Sequence, residues 1–151
     1  MIELTDWLRK ELAQRADQEA PQEACGLISR AKPARGLPEG GIALWAAENA
    51  AEDPEHGFEI APDNLLGIVK QIEARGETLV GVYHSHPSGT AAPSPRDVET
   101  AAQWPGLTWI IVAKRECSLC LGTGGSDDPD APCEACGGEL TEPVFWNGVL
   151  A

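Results

Sequence analysis

The segment Thr78-Leu-Val-Gly-Val-Tyr-His-Ser-His-Pro87 decides the architecture of this chain, and Ser94-Pro-Arg-Asp97 follows it closely. The β-branched and apolar residues of this segment predict a buried strand from Thr78 to His84, with Pro87 ending the pairing. Side chains at positions i and i+2 of a strand point to the same side of the sheet. The imidazoles of His84 and His86 should therefore share one pocket. The chain has only three histidines, and two of them lie in this segment.

Two neutral imidazoles and one carboxylate form the ligand set of a catalytic zinc site, in which the fourth position stays open for water. Asp97 is the natural third ligand for such a site. Residues 94–97 also match a helix capping box, with Pro95 at the favoured first helical position. The two interpretations are compatible, because a capped helix start places Ser94 and Asp97 at a defined point near the end of the strand.

Composition narrows the possible functions. A chain of 151 residues fits one domain that spans residues 1–151. Its net charge of −13, from 24 acidic and 11 basic residues, argues against nucleic acids and anionic membrane surfaces, which require basic patches. No stretch approaches the ~18 apolar residues of a membrane span, and residues 1–7 do not resemble a signal peptide. We therefore expect a cytoplasmic protein whose cysteines are thiols or metal ligands.

The spacing of apolar residues predicts alternating helices and strands. Thr5 can cap a helix that runs to about Glu19, and a second helix begins at Pro62 and closes at Gly76. A third helix follows Ser94. The apolar face of the first helix is predicted to contain Trp7, Leu8, Leu12 and Ala16. That of the second helix is predicted to contain Leu65, Leu66, Val69 and Ile72. Besides the strand quoted above, strands are predicted at 24–29, 42–48, 57–60, 107–113 and 142–146.

The combined pattern His-x-His-Pro-x6-Ser-x2-Asp resembles the motif of the JAMM (MPN-plus) zinc metalloprotease family, with every motif position filled. Members of this family also have a glutamate at the start of an early strand, and Glu23-Ala-Cys-Gly-Leu-Ile28 matches that element of the bacterial members. Family-like sequence runs from about Leu4 to Arg115. The resemblance implies an α/β fold with a mixed β-sheet flanked by helices, similar to that of cytidine deaminases.

The resemblance also implies roles for individual residues. His84, His86 and Asp97 would bind one catalytic zinc ion, Glu23 would be the general base, and Ser94 would stabilise the oxyanion. These roles are chemically sound, because zinc lowers the pKa of bound water to about 7 and a nearby carboxylate can pass the proton to the leaving amine. The implied reaction hydrolyses the amide bond after the C-terminal Gly-Gly of a ubiquitin-like or sulfur-carrier protein. The sequence does not indicate an oligomeric state.

Two other classes of protein share part of this pattern. Pro132-Cys133-x-x-Cys136 matches half of the zinc deaminase signature, but the required His-x-Glu is absent from the chain. A non-catalytic MPN-like scaffold that binds ubiquitin-like partners is the remaining alternative, although such scaffolds typically lack the metal ligands that this chain retains. Cys25 lies in an apolar strand, so it is predicted to be a small buried residue rather than a nucleophile. His56 is predicted to lie in an exposed turn.

One segment departs from the family pattern. Cys117-x2-Cys120 and Cys133-x2-Cys136 are separated by 12 residues, 121–132, that include several Gly, Asp and Pro. Two such pairs suit a tetrahedral four-thiolate zinc site, which is closed and structural because no position is left for substrate. We therefore expect a cysteine-rich insertion at 115–140 that binds a second, structural zinc ion. A flexible loop with free thiols is the alternative.

Overall fold

The computed structural model describes residues 2–33, 40–87, 90–114 and 143–150. Within these ranges the order of elements is α1 (Asp6–Glu19), β1 (Cys25–Arg30), β2 (Ile42–Ala47), α2 (Pro62–Ala74), β3 (Thr78–His86), α3 (Pro95–Ala102), β4 (Thr108–Lys114) and β5 (Pro143–Val149). No helix in these ranges is long and apolar enough to cross a membrane.

The five strands form one mixed sheet in the order β2-β1-β3-β4-β5. Strands β3 and β4 are parallel, and every other neighbouring pair is antiparallel. Helix α3 lies in the crossover connection that a parallel pair requires. The central strand, β3, carries both histidines of the motif. A mixed sheet flanked by helices confirms the predicted fold class.

The sheet is covered on both faces, and alternate residues of each strand enter different cores. Leu27, Val82 and Trp109 point to the face that packs against α2 and α3, together with Ile68, Ile72 and Ala101. Their chain neighbours Ile28, Tyr83 and Ile110 point to the opposite face, where α1 contributes Leu8 and Leu12. Since His84 is two residues after Val82, it lies on the α2 and α3 face.

The predicted helix boundaries are confirmed, but the predicted faces are only partly right. Leu8 and Leu12 are buried as expected, whereas Trp7 is 52% exposed. In α2 the buried positions are Ile68 and Ile72, while Leu66 is 54% exposed. Adjacent helical residues differ by about 100° around the axis, so Trp7 and Leu66 are carried off the stripe that faces the sheet.

Three predictions about strands need correction. Residues Gly57–Ile60 were expected to form a strand, but they pair with no strand of the sheet, and the Ala50 amide donates to the Glu59 carbonyl at 2.8 Å. Phe58 is nevertheless buried, so its apolar character reflects core packing rather than a ladder. Strand β3 extends to His86 rather than ending at His84, and β5 runs from Pro143 to Val149 rather than over 142–146.

Candidate active site

The pairing of β1 with β3 brings Glu23 to the histidines. Cys25 lies opposite His84 in this antiparallel pair. The Ser85 amide donates to the Ala24 carbonyl at 3.0 Å, and the Ala24 amide donates to Ser85 Oγ at 2.7 Å. Continuing this register by one residue beyond Ala24 and Ser85 places Glu23 opposite His86. One carboxylate oxygen of Glu23 and one ring nitrogen of each histidine, His84 and His86, all lie within 4.8 Å of one another.

Asp97 completes the group from the other side. The Nε2 atoms of His84 and His86 are 3.0 Å apart. Asp97 Oδ1 lies 3.2 Å from His84 Nε2, and Asp97 Oδ2 lies 3.2 Å from His86 Nε2. The structure therefore brings both predicted histidines and the predicted carboxylate to one point, with Glu23 beside it.

Helix α3 begins with a capping box that fixes Asp97. The Asp97 amide donates to Ser94 Oγ at 3.1 Å, and the Ser94 amide donates to Asp97 Oδ2 at 2.8 Å. The predicted capping interaction is thus confirmed, and it holds the carboxylate toward the histidines. Burial alone would raise the pKa of Asp97, but the hydrogen bonds with His84 and His86 outweigh it and hold the pKa well below its usual range.

Two aromatic side chains support the fully buried His84. The Phe58 ring stacks on the imidazole with a centroid distance of 4.6 Å, and the Trp109 ring packs edge-on at 5.8 Å. Burial lowers the pKa of His84, so the imidazole is held neutral, which is the form that binds metals. Sequence reasoning missed this aromatic support, because nothing in the spacing of Phe58 and Trp109 along the chain links them to His84.

The tautomer of His86 indicates a positive charge within the group. Its Nδ1 lies 2.7 Å from the Thr90 carbonyl, which accepts only, so Nδ1 carries the proton. In the neutral ring Nε2 then directs a lone pair at the Asp97 carboxylate. Because these two groups repel each other, a proton or a metal ion must lie between them. Burial alone would lower the pKa of His86, but the hydrogen bonds to Asp97 and Thr90 raise it overall. The raised pKa of His86 and the lowered pKa of Asp97 both follow from this preference for a positive charge between them.

The spacing of the ligand residues suits zinc. Ligand atoms about 2.0–2.1 Å from a tetrahedral zinc ion lie roughly 3.3 Å from one another. The Nε2 atoms of His84 and His86 are 3.0 Å apart, and each lies 3.2 Å from a different carboxylate oxygen of Asp97. Two imidazoles and a carboxylate are also the donors that catalytic zinc sites use. The residues present therefore fit a zinc ion with little rearrangement.

Glu23 is a buried carboxyl group with an unusual pKa. Its side chain is largely shielded from solvent, and this burial raises its pKa to about 7; the charge of His86 lowers the pKa by a smaller amount, and that of Asp97 raises it. A carboxyl group with a pKa near 7 can both accept and release a proton at neutral pH. It opens onto a cleft of about 310 Å³ that is also lined by His86, Ser94, Glu55 and His56.

His56 and Cys25 behave as the sequence predicted. His56 lies in an exposed turn, where its Nδ1 is 3.0 Å from Asp53 Oδ2, and this hydrogen bond raises the pKa of His56. Cys25 is buried, and burial raises the pKa of its thiol to about 12. A thiol that stays protonated at neutral pH is a poor nucleophile, as expected for a core residue. Cys117, Cys120, Cys133 and Cys136 lie outside the described residues.

These features define a class of site: a candidate mononuclear metal centre at the end of the central strand of a mixed sheet, with an acid beside it. Residues 6–120 match the sequence model of the family described as prokaryotic homologues of the JAB domain. The chain belongs to this family, which confirms the resemblance seen in its sequence.

Individual relatives agree with this assignment. A desampylase of Haloferax volcanii is 35% identical over 91 residues, which cover 60% of this chain and 62% of the relative. A probable TtuB-protein conjugate cleaving protease of Thermus thermophilus is 36% identical over 83 residues, which cover 48% of this chain and 56% of the relative. Both matches thus span less than two thirds of the relative. A protein of Desulfitobacterium hafniense with a known solution structure has a TM-score of 0.60 and 32% identity, with 75% of each chain covered.

Proposed function

We propose that this protein is a zinc-dependent peptidase or isopeptidase that hydrolyses the amide bond after the C-terminal Gly-Gly of a ubiquitin-like or sulfur-carrier protein. The observation that carries the proposal is the convergence of His84, His86 and Asp97, with the buried Glu23 within 4.8 Å of both imidazoles. A non-catalytic scaffold has no need to hold a carboxyl group at a pKa of about 7 beside two histidines.

His84, His86 and Asp97 would hold the zinc ion. When bound, zinc supplies a Lewis acid that makes water ionise near neutral pH and polarises the substrate carbonyl. The surrounding structure prepares the ligands for this role, since Phe58 and Trp109 fix the ring of His84 and the Thr90 carbonyl fixes the tautomer of His86. The capping box fixes the Asp97 carboxylate.

Glu23 would act as the general base and then as the general acid. Its carboxylate accepts the proton of the attacking water, and it gives a proton to the amine that leaves when the amide bond breaks. The same burial that raises its pKa to about 7 makes both transfers accessible at neutral pH. Its backbone lies two residues before β1, and one of its carboxylate oxygens lies within 4.8 Å of a ring nitrogen of both His84 and His86.

Ser94 would stabilise the negative charge that develops on the carbonyl oxygen. Its Oγ accepts a hydrogen bond from the Asp97 amide at 3.1 Å, so capping uses an oxygen lone pair and leaves the hydroxyl proton to be donated. Ser94 also lines the cleft that Glu23 and His86 face. One residue can therefore cap α3 and donate to the oxyanion.

The substrate class is supported by the relatives. The printed names of two of them, a desampylase and a probable TtuB-protein conjugate cleaving protease, describe the cleavage of protein conjugates. The net charge of −13 favours partners with a basic face over nucleic acids. We further propose that Cys117, Cys120, Cys133 and Cys136 bind a second, structural zinc ion, on the strength of their paired spacing.

The test is cleavage of a defined conjugate. The zinc-loaded protein is incubated with a ubiquitin-like protein joined through its C-terminal Gly-Gly either to a lysine side chain or to a single amino acid, and products are identified by mass spectrometry. We expect release of a free Gly-Gly terminus, loss of activity with a chelator, and recovery on addition of zinc. Glu23→Gln should keep its zinc and its fold but lose most activity. Binding of the conjugate without cleavage would instead favour the scaffold alternative.

A further inference from the structure

Asn49 lies at the centre of a hydrogen-bond network next to the site. Its Nδ2 lies within hydrogen-bond distance of three carbonyl oxygens, those of Glu23 at 3.0 Å, Pro54 at 3.2 Å and Gly57 at 2.9 Å, which share its two hydrogens. Its Oδ1 accepts from two amides on the same segment, Ala51 at 3.1 Å and Glu59 at 3.3 Å. Three acceptors surround the nitrogen and two donors surround the oxygen, so the network itself determines the orientation of the amide.

The backbone of Glu23 depends on this network. Strand β1 begins at Cys25, so the ladder with β3 does not include Glu23. Instead the Glu23 amide donates to the Pro54 carbonyl at 2.7 Å, and the Glu23 carbonyl accepts from Asn49. Asn49 also binds the Pro54 carbonyl. The amide of Glu23 is therefore held by segment 50–59 directly, and its carbonyl is held to the same segment through Asn49.

The same segment forms a wall of the site. Glu55 and His56 line the same cleft as Ser94 and His86. Phe58, one residue after the Gly57 carbonyl that Asn49 binds, stacks on the buried ring of His84. Thus one side-chain amide connects the backbone of the acid, the wall of the cleft and the aromatic support of a metal-binding histidine.

We propose that Asn49 is a positioning residue that holds segment 50–59 against the backbone of Glu23 and thereby aims the Glu23 carboxylate at the reacting atoms. Asn49 does not line the cleft, so it acts through Glu23 rather than on the substrate. This inference rests on the proposed hydrolytic function for its kinetic consequence. Its structural part, the fixing of Glu23, can be measured without any substrate.

The chain offers a matched control for the loss of an amide side chain. Asn147 on β5 is also partly buried, and its Nδ2 donates to the Ile2 carbonyl at 2.7 Å. Ile2 packs in the core on the α1 face of the sheet, away from the metal ligands. Asn147→Ala therefore removes a comparable side chain to backbone hydrogen bond without touching the site.

The experiment compares Asn49→Ala, Asn49→Asp and Asn147→Ala in the zinc-loaded protein. Asn49→Asp keeps the acceptor oxygen for Ala51 and Glu59 but removes the donors to Glu23, Pro54 and Gly57, and it serves as the second variant if Asn49→Ala does not fold. Because misplacing a catalytic group by about 1 Å can cost roughly 10²-fold, both Asn49 variants should lose about 10- to 100-fold in kcat. KM and zinc content should stay close to wild type, and Asn147→Ala should keep its kcat.

Hydrogen exchange of the Glu23 amide provides the readout that does not depend on activity. In both Asn49 variants we expect it to exchange roughly ten-fold faster, as loss of about one hydrogen bond implies, while Asn147→Ala leaves it unchanged. Unchanged exchange at Glu23, or an equal fall of kcat in Asn147→Ala, would overturn the inference. If the wild-type protein cleaves no conjugate, the proposed hydrolytic function is wrong. The exchange data alone would then decide whether Asn49 fixes the backbone of Glu23.

Discussion

Ser94 serves two purposes that substitutions can separate. Its Oγ caps α3 by accepting from the Asp97 amide, and its hydroxyl proton is proposed to be donated to the oxyanion. Ser94→Ala removes both. Loss of the N-cap should destabilise the protein by about 1 kcal/mol, which for a chain of this length lowers Tm by about 3–4 °C. Loss of an oxyanion donor should lower kcat by roughly 10²–10³-fold, equivalent to about 2.7–4 kcal/mol.

Two further substitutions at the same position distinguish these effects. Ser94→Gly also lacks the hydroxyl, but glycine at an N-cap costs only about a few tenths of a kcal/mol, so Tm should stay near wild type while kcat falls as far as in Ser94→Ala. Ser94→Thr keeps both the cap and the hydroxyl, and it should retain most of the stability and turnover. The assays are thermal unfolding of the zinc-loaded protein and cleavage of a ubiquitin-like conjugate at saturating concentration.

The reasoning would be refuted by a particular combination of results. If Ser94→Ala and Ser94→Gly both turned over substrate within about two-fold of wild type, the hydroxyl would have no role in the transition state and Ser94 would be a capping residue alone. If kcat instead followed Tm across the three variants, the loss of activity would come from the misplaced Asp97 carboxylate rather than from the missing donor.

Three other predictions concern the packing of Phe58, the buried thiol of Cys25 and the zinc content of the chain. Phe58→Ala removes the ring stacked on His84 and leaves a cavity in the core, so urea unfolding should show a loss of about 3–5 kcal/mol, and a loss below about 1 kcal/mol would contradict this packing. Because burial raises the pKa of Cys25 from 9.0 to about 12, its contribution to stability is complete below pH 9 and is lost progressively as the pH rises from 9 to about 12. Peptide mass spectrometry should therefore find Cys25 unalkylated by iodoacetamide at pH 8 in the folded protein and alkylated after unfolding, and labelling of the native protein would count against its burial. Elemental analysis should find two zinc ions per chain in the wild type. It should find one zinc ion per chain in the variant in which serine replaces four cysteines, Cys117, Cys120, Cys133 and Cys136. A variant without any bound metal would exclude the histidine site.

The ends of the elements could be predicted because their signals are local. Thr5 and Ser94 cap α1 and α3, Pro62 opens α2, and Gly76 follows α2 with a φ of +69°, which is unfavourable for residues with a side chain. Each of these effects acts over a few residues. The pairing of the histidines could be predicted for the same reason, since period-two geometry places His84 and His86 on one face of β3.

The faces of the helices were harder to predict, because the sequence shows which residues are apolar but not which way the helix is rotated. Trp7 and Leu66 are apolar yet exposed, whereas Ile68 is buried. The rotation is set by the sheet against which each helix packs, and that surface is assembled from strands distant in the chain. The same limitation explains Phe58, which lies in the predicted strand Gly57–Ile60 although its ring packs on His84.

By itself, therefore, the sequence determined the mixed α/β class, the capped helix that carries Asp97, and the two histidines on one strand. Only the tertiary structure decided which groups surround them. Glu23 reaches the site because Cys25 pairs with His84, and its backbone is fixed by Asn49 through carbonyls of a separate segment. Such contacts join residues far apart in the chain through backbone atoms that every residue shares, so the spacing of side chains does not reveal them, and Glu23 was indicated in advance only by the family resemblance.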